Sequence, residues 1–175
     1  FYLATDGSFR ATGGGLGVVI ETRDGETVAR LSIPDHVPDN NVAEYRALHL
    51  GLDVLANRSP DNANVGILLD HDQLAENVNA TVLAGRKPRV HTPHSLSVPE
   101  RTGLHWRGIE ARVRGFGDLR AARISGDVNP AHPLANAPDQ YAHVNDEPDR
   151  CVIPERPIPE NQVPPPSRAD RSASD

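Results

Sequence analysis

The chain opens with three strand-like segments in quick succession and then, at Val42, changes to a helical period; no other feature limits its fold as closely. Residues 1–5 form a short strand-like run stopped by Asp6-Gly7-Ser8, and a second run covers 16–22, beyond a glycine turn at Gly13, Gly14 and Gly15. Asp24-Gly25 signals a hairpin, since both central positions of a type I′ turn need positive φ, and 27–33 is the return strand. Pro34 and Pro38 bracket a loop. Over 42–56, Val42, Tyr45, Leu48, Leu52 and Leu55 recur at three- and four-residue intervals, the spacing of an amphipathic helix. Asn41 is placed to cap it, with Glu44 three residues on.

Residues 65–69 are a nearly continuous apolar run, as expected of a strand buried on both faces. Residues 72–84 read as a second helix, 85–103 as a Pro-containing loop, 105–116 as a third helix and 119–124 as a last strand. A terminal helix over 133–141 is short or kinked, because Pro138 interrupts it. Three strands in hairpin order, followed by alternating helix and strand, imply an α/β fold whose mixed sheet is covered by helices.

The length of 175 residues has room for one ordinary domain and a tail. Apolar residues make up 37% and aromatics 4%, but the deficit is concentrated, because 138–175 hold 8 of the 16 prolines and little to bury. Such a segment cannot offset its own ordering entropy. The expected division is a domain over 1–145 and a Pro-rich, disordered tail over 146–175. The net charge of −6 leaves no broad basic footprint for nucleic acid, so any such binding must use a local Arg patch, backbone amides or bridging metal ions. Cys151 is the only cysteine, which excludes a disulfide framework and a thiolate metal site. No apolar run reaches the ~20 residues that span a bilayer, and no signal peptide is visible. A cytoplasmic protein with no membrane partner, monomeric by default, is the expectation.

Three acids stand at telling places. Asp6 ends the first strand, Glu44 lies in the opening turn of the first helix, and Asp70 ends the fourth strand. If strands one and four are parallel neighbours, these carboxylates share one small volume. Like charges that close raise one another's pKa unless cations neutralise them. Oxygen ligands select hard divalent metals, and paired metals can promote attack on a phosphodiester. Each acid also has a plain structural reading. Asp6-Gly7 can be a turn, Glu44 the partner of Asn41 in a capping box, and Asp70 an N-cap.

Asp6-Gly7-Ser8, Gly13-Gly14-Gly15 and the stretch Asn40-Asn41-Val42-Ala43-Glu44-Tyr45-Arg46-Ala47-Leu48 resemble, in order, the signatures of the ribonuclease H family. The likeness runs from Phe1 to about Ala80 and returns near Asn129-Pro130 and Leu134-Ala135-Asn136. It implies a mixed five-stranded sheet, three strands antiparallel and two parallel, with helices on both faces. It further implies hydrolysis of the RNA strand of RNA/DNA hybrids with two magnesium or manganese ions held by Asp6, Glu44 and Asp70. By the same resemblance Gly13, Gly14, Gly15, Asn40, Asn41 and Gln73 contact the hybrid, and carboxamides suit a 2′-hydroxyl that both donates and accepts.

Two departures stand out. The chain reads Asp70-His71-Asp72-Gln73-Leu74, one residue longer than the family pattern between strand and helix, so either Asp70 or Asp72 can take the ligand position. Where the family has its fourth acid this chain has His132, which supplies a nitrogen ligand or a proton shuttle but no negative charge. Asp127 and Asp139 are near enough in sequence to compensate. The rival to a nuclease is a catalytically degenerate module of the same fold that binds nucleic acid or protein, because a fold does not establish an activity. His91 and His94 make a poor metal pair in a Pro-containing loop. His105 and Trp106 seat the third helix, and Arg107, Arg112 and Arg114 form either a phosphate-facing patch or a solvated helix surface.

Overall fold

The computed structural model describes residues 1–86 and 96–141. The expected boundary near residue 145, the Pro-rich segment, Cys151, His91 and His94 lie outside them. Five strands form one sheet: β1 (Tyr2–Ser8), β2 (Gly14–Glu21), β3 (Thr27–Asp35), β4 (Val65–Leu69) and β5 (Leu119–Arg123), in the order β3-β2-β1-β4-β5. The β1–β2 and β2–β3 pairs are antiparallel, and the β1–β4 and β4–β5 pairs are parallel. Parallel neighbours need a crossover. The helix α1 (Asn40–Arg58) makes the first, and α2 (Asp72–Arg86) with α3 (Gly103–Val113) makes the second. Two short helices, α4 (His132–Asn136) and α5 (Pro138–Tyr141), follow β5.

The period-two alternation along the strands assigns each side chain to one of two layers. Leu3, Val18, Ile20, Leu31, Ile67 and Leu69 meet Tyr45, Leu48 and Leu52 of α1, Leu74 and Val78 of α2, and Trp106 and Ile109 of α3. The intervening Ala4, Val19 and Leu68 meet Ala131 and Leu134 on the opposite face. The sheet is therefore covered on both sides, by three long helices on one and by α4 on the other. No described helix is long and apolar enough to cross a membrane.

Several boundaries differ from the sequence expectation for identifiable reasons. β1 continues through Asp6, Gly7 and Ser8 because β2 pairs with all three, so Asp6-Gly7 is strand and not a turn. β3 runs on to Asp35 and includes Pro34, tolerable because β3 is an edge strand. The Asp24-Gly25 hairpin forms, but only Gly25 has positive φ, at 87°. Its amide donates to Thr22 O at 3.1 Å and a register shift follows at Ile20/Glu21, which makes it a longer bulged hairpin in place of a two-residue type I′ loop. The cap of α1 is Asp39, whose side chain accepts from Val42 N at 2.9 Å; Asn41 lies inside the helix. α3 spans 103–113 and leaves Phe116 beyond its end. The terminal helix breaks into α4 and α5 just before Pro138.

Two glycines let helices approach the sheet closer than a side chain would permit. A Cβ on Gly7 would lie 2.2 Å from the Ala43 carbonyl carbon and 2.4 Å from Glu44 N, so the start of α1 rests directly on β1. A Cβ on Gly17 would lie 2.2 Å from Ala131 O, at the start of α4. Atoms packed that closely cannot absorb a methyl without moving backbone. Replacing Gly7 by Ala is therefore expected to cost at least about 2 kcal/mol in urea unfolding. Gly103→Ala, at a site with nothing within 4 Å, should be neutral or slightly stabilising in the same measurement.

Candidate active site

The parallel register of β1 and β4, with Ala4 opposite Leu68, ends both strands on the same side of the sheet. Asp6 points up from β1 and Asp70 follows directly after β4. Glu44 comes from α1, which begins at Asn40, so it lies one residue beyond the first turn and above Gly7. Asp6 is 2% exposed and Glu44 3% exposed, so neither carboxyl is solvated as an ordinary acid would be.

That burial has an electrostatic consequence. The Asp6 carboxyl is pushed up to about 7, first by burial and then by the charge of Asp70, partly offset by the Gly7 amide. Glu44 is pushed up to about 10 by burial, then by the charges of Asp6 and Asp70 and a hydrogen bond with the Asp70 carboxyl, again offset in part by Gly7. Two carboxyls can share such a bond only if one holds a proton. Glu44 Oε2 is buried with no hydrogen-bond partner, and no lysine or arginine pairs with any of these three acids among the described residues.

His132 completes the group from the first residue of α4. Its Nδ1 lies 3.1 Å from Asp6 Oδ2, and ligand atoms of Asp6, Asp70 and His132 all lie within 4.8 Å of one another. Asn136 Nδ2 donates to Asp6 Oδ2 at 3.3 Å and to His132 O at 3.0 Å. The donor set is carboxylate oxygen with one imidazole nitrogen, which fits a divalent cation such as magnesium or manganese, and the nitrogen suits manganese better. An unpartnered buried Glu44 oxygen and carboxyls held above their ordinary pKa are what a cation would relieve.

The other sequence candidates divide. Asp72 is outside the group; it is exposed and pairs with Arg123 at 3.0 Å, because the first turn of α2 aims it toward β5. Asp70 is not the cap of α2 either, since His71 Nδ1 accepts from Leu74 N at 3.2 Å. Glu44 belongs to no capping box, because Asp39 caps α1. Asp127 is exposed, accepts from Ser125 Oγ and is not part of the cluster. The side chain of Asp139 is outside the described residues.

Gly13, at φ 113°, and Gly14 line a groove of about 640 Å³ with Arg10, His36, His132 and Asn136. Gly14 and Gly15 are buried in β2, where Gly15 faces Ala135 O. Asn40 and Asn41 are exposed at the start of α1, and Gln73, in the first turn of α2, is half-buried. Asn41 Oδ1 lies 2.9 Å from His71 Nε2, and Gln73 donates to Asn77 Oδ1 at 3.3 Å.

Sequence reasoning assigned no role to several residues that hold the group in place. Buried Asn129 donates to Thr5 O at 2.9 Å and accepts from Ala131 N, which ties the start of α4 to β1 beside Asp6. Ser8 Oγ donates to Ala135 O at 2.6 Å and Ser32 Oγ to Leu134 O at 2.6 Å, so the short helix is fastened at both edges of β2. A Cβ on Gly126 would touch Asp70 Oδ2 at 3.0 Å. Asn129 and Ser8 left a signal only as parts of the resemblance, in Asn129-Pro130 and Asp6-Gly7-Ser8. Arg112 on α3 pairs with Asp53, and Arg114 just beyond its end pairs with Glu110, which is the solvated-surface alternative; Trp106 packs on Tyr45.

No protein-family profile and no curated protein sequence matches the chain. Solved structures do. It is similar to LC11-RNase H1 in complex with an RNA/DNA hybrid, at 21% identity and TM-score 0.62, over 77% of this chain and 92% of that one. It is also similar to RNase H1 from the halophilic archaeon Halobacterium salinarum, at 23% identity and TM-score 0.55, over 78% and 95%. A third likeness, at 23% identity and TM-score 0.53 over 71% and 86%, is to an N-terminal RNase H domain from Mycobacterium tuberculosis.

The fold is that of ribonuclease H. The resemblance read in the sequence is borne out at that level, down to the mixed five-stranded sheet with three antiparallel and two parallel strands. Within this ribonuclease H fold the raised carboxyl pKa values set a testable dependence on pH. A carboxyl with a higher pKa folded than unfolded binds more protons in the native state, so stability falls as pH rises from its ordinary value through the folded one. For Asp6 that window runs from 3.8 to about 7, and for Glu44 from 4.5 to about 10. The metal-free protein should therefore melt lower at about pH 8 than at about pH 5, Glu44→Gln should flatten that slope, and excess manganese should restore the melting temperature at the higher pH.

Proposed function

We propose that this chain is a metal-dependent endonuclease that hydrolyses the RNA strand of RNA/DNA hybrids. The observation that carries the reading is the convergence of buried Asp6 and Glu44 with half-buried Asp70, unneutralised by any described basic side chain except His132, at the ends of β1 and β4 in a ribonuclease H fold. A fold neighbour solved with an RNA/DNA hybrid supports the choice of substrate.

In this reading Asp6, Glu44 and Asp70, with His132 offering a nitrogen ligand, would hold two magnesium or manganese ions, and Asp72 takes no part. Divalent cations, when bound, polarise an attacking water and the scissile phosphate and offset charge on the leaving oxygen. The protein side chains do the rest. Asp6 is fixed by strand pairing on one side and by Asn136 on the other, so its oxygens cannot swing away. Glu44 is held by α1 where bulk water does not reach. Exposed His132, with Nδ1 3.1 Å from Asp6 Oδ2, either supplies a nitrogen to a cation or, where it holds none, exchanges a proton with solvent beside the reacting phosphate. The groove lined by Gly13, Arg10 and Asn136 and the carboxamides of Asn40, Asn41 and Gln73 are the surfaces that would contact the hybrid. Products with 5′-phosphate and 3′-hydroxyl ends follow if water attacks phosphorus in line with the 3′ oxygen, the P–O3′ bond breaks and the leaving 3′ oxygen takes up a proton.

One observation favours the rival, a degenerate module that binds without cleaving: His132 already pairs with Asp6 and so occupies part of the ligand set. A labelled hybrid incubated with magnesium and then manganese, at low and high salt, separates the two. Cleavage of the RNA strand alone is expected, reduced at least about a hundredfold in Asp6→Asn, Glu44→Gln or Asp70→Asn. His132→Asp, which restores a negative charge, should lower the magnesium concentration needed for half-maximal rate. A folded wild type that binds hybrid and cleaves neither strand under any of these conditions would establish the rival.

A further inference from the structure

His71, between Asp70 and Asp72, makes a hydrogen bond at each ring nitrogen. Nδ1 faces the Leu74 amide at 3.2 Å, and a backbone amide can only donate, so Nδ1 carries no hydrogen. In the neutral imidazole the hydrogen is then on Nε2. Nε2 lies 2.9 Å from the Asn41 carboxamide, and the atom that faces a donor must be the carbonyl oxygen. The opposite amide orientation would set one N–H against another. The Asn41 NH2 group is thereby turned away from His71. Asn41 is exposed in the first turn of α1, and its NH2 group has no partner among the described residues. The Tyr45 ring packs edge-on to the imidazole, at 6.0 Å between centroids, on the side of α1.

We propose that His71 is a positioning residue which holds the Asn41 carboxamide with its NH2 group outward, so that the surface beside Asp70 offers a fixed hydrogen-bond donor to the minor groove of an RNA/DNA hybrid. The proposal rests on the nuclease reading above and names what that site recognises: an acceptor, either a ribose 2′ oxygen or a base-edge N3 or O2. A free asparagine can present either its oxygen or its nitrogen. One held by a donor can present only the nitrogen, and the ordering cost is met before the hybrid arrives. The extra residue between strand and helix is what places an imidazole long enough to reach both the Leu74 amide and Asn41.

His71→Asn separates this role from helix capping, because asparagine still caps the Leu74 amide but is too short to reach Asn41. Steady-state cleavage of a labelled hybrid should show KM raised about tenfold with kcat changed less than about twofold. The unfolding midpoint should stay at the wild-type value, and the KM effect should vanish when Asn41→Ala is already present. A single deoxynucleotide, placed at successive RNA positions, should raise the wild-type KM at one position and not that of His71→Asn if the acceptor is the 2′ oxygen. If no position does so, the acceptor is on a base. Unchanged KM in His71→Asn, or an equal rise in the Asn41→Ala background, overturns the proposal while leaving the nuclease reading intact. A hydrogen found on Nδ1 by nitrogen NMR overturns it whatever the cleavage result. A wild type inert on hybrids brings down the nuclease reading itself, and the wild-type control reports that separately.

Discussion

Burying like charges side by side is the constraint around which the rest of this molecule is arranged. Three carboxyls within the ends of two adjacent strands and one helix repel one another, and two of them are removed from water. Nothing in the local sequence would favour that arrangement on stability grounds. It persists because the surrounding structure fixes each acid independently. Asp6 is held by a strand paired on both sides, Asp70 by the end of a buried strand, and Glu44 by a helix whose apolar stripe fills the main core. The core contribution of Tyr45, Leu48, Leu52 and Leu55 outweighs the repulsion at one end of the same helix. Gly7 is the point where these two demands meet, since any side chain there would lift α1 away from β1 and move Glu44 out of the group.

The apolar periodicities made the architecture legible, because each reports a face that must be covered whatever its neighbours are. The run over 65–69 could be read as a strand covered on both faces, and the stripe over 42–55 as a helix packed on a core, from their patterns alone. Ends of elements were less readable. Asp6-Gly7 has the composition of a turn, and only the pairing of Gly7 with Leu16 and of Ser8 with Gly15 keeps it in the strand. Asn41 has the composition of a cap, but Asp39 reaches the Val42 amide first. Local rules assign such residues one by one, whereas long-range pairing decides among them.

The candidate site was legible where its residues end core elements and obscure where they depend on a partner distant in sequence. Asp6, Glu44 and Asp70 could be placed together from topology. The choice of Asp70 over Asp72 could not, because it turns on Arg123, fifty-odd positions away on β5. The glycine run was read as a single unit, yet its members differ. Gly13 is at the groove with positive φ, while Gly15 is buried where a helix carbonyl leaves no room for a side chain. Asn129 and Ser8 fasten α4 to the sheet through bonds to backbone oxygens, and no sequence rule predicts which carbonyl a buried hydroxyl or carboxamide will find.

His132 is best understood through the same repulsion. A fourth carboxylate at that position would bind cations more firmly but would add another like charge to a group that already holds Glu44 largely protonated. An imidazole removes that cost. It can carry a hydrogen on Nδ1 toward Asp6 in the absence of cations, and it can present a bare nitrogen to a cation when one arrives. An imidazole at this position would leave the folded protein less dependent on bound metal, at the expense of charge attraction for it, and would favour metals that accept nitrogen ligands. His132 is exposed and stands on α4, outside β1 and β4, so it could change partner without disturbing either strand.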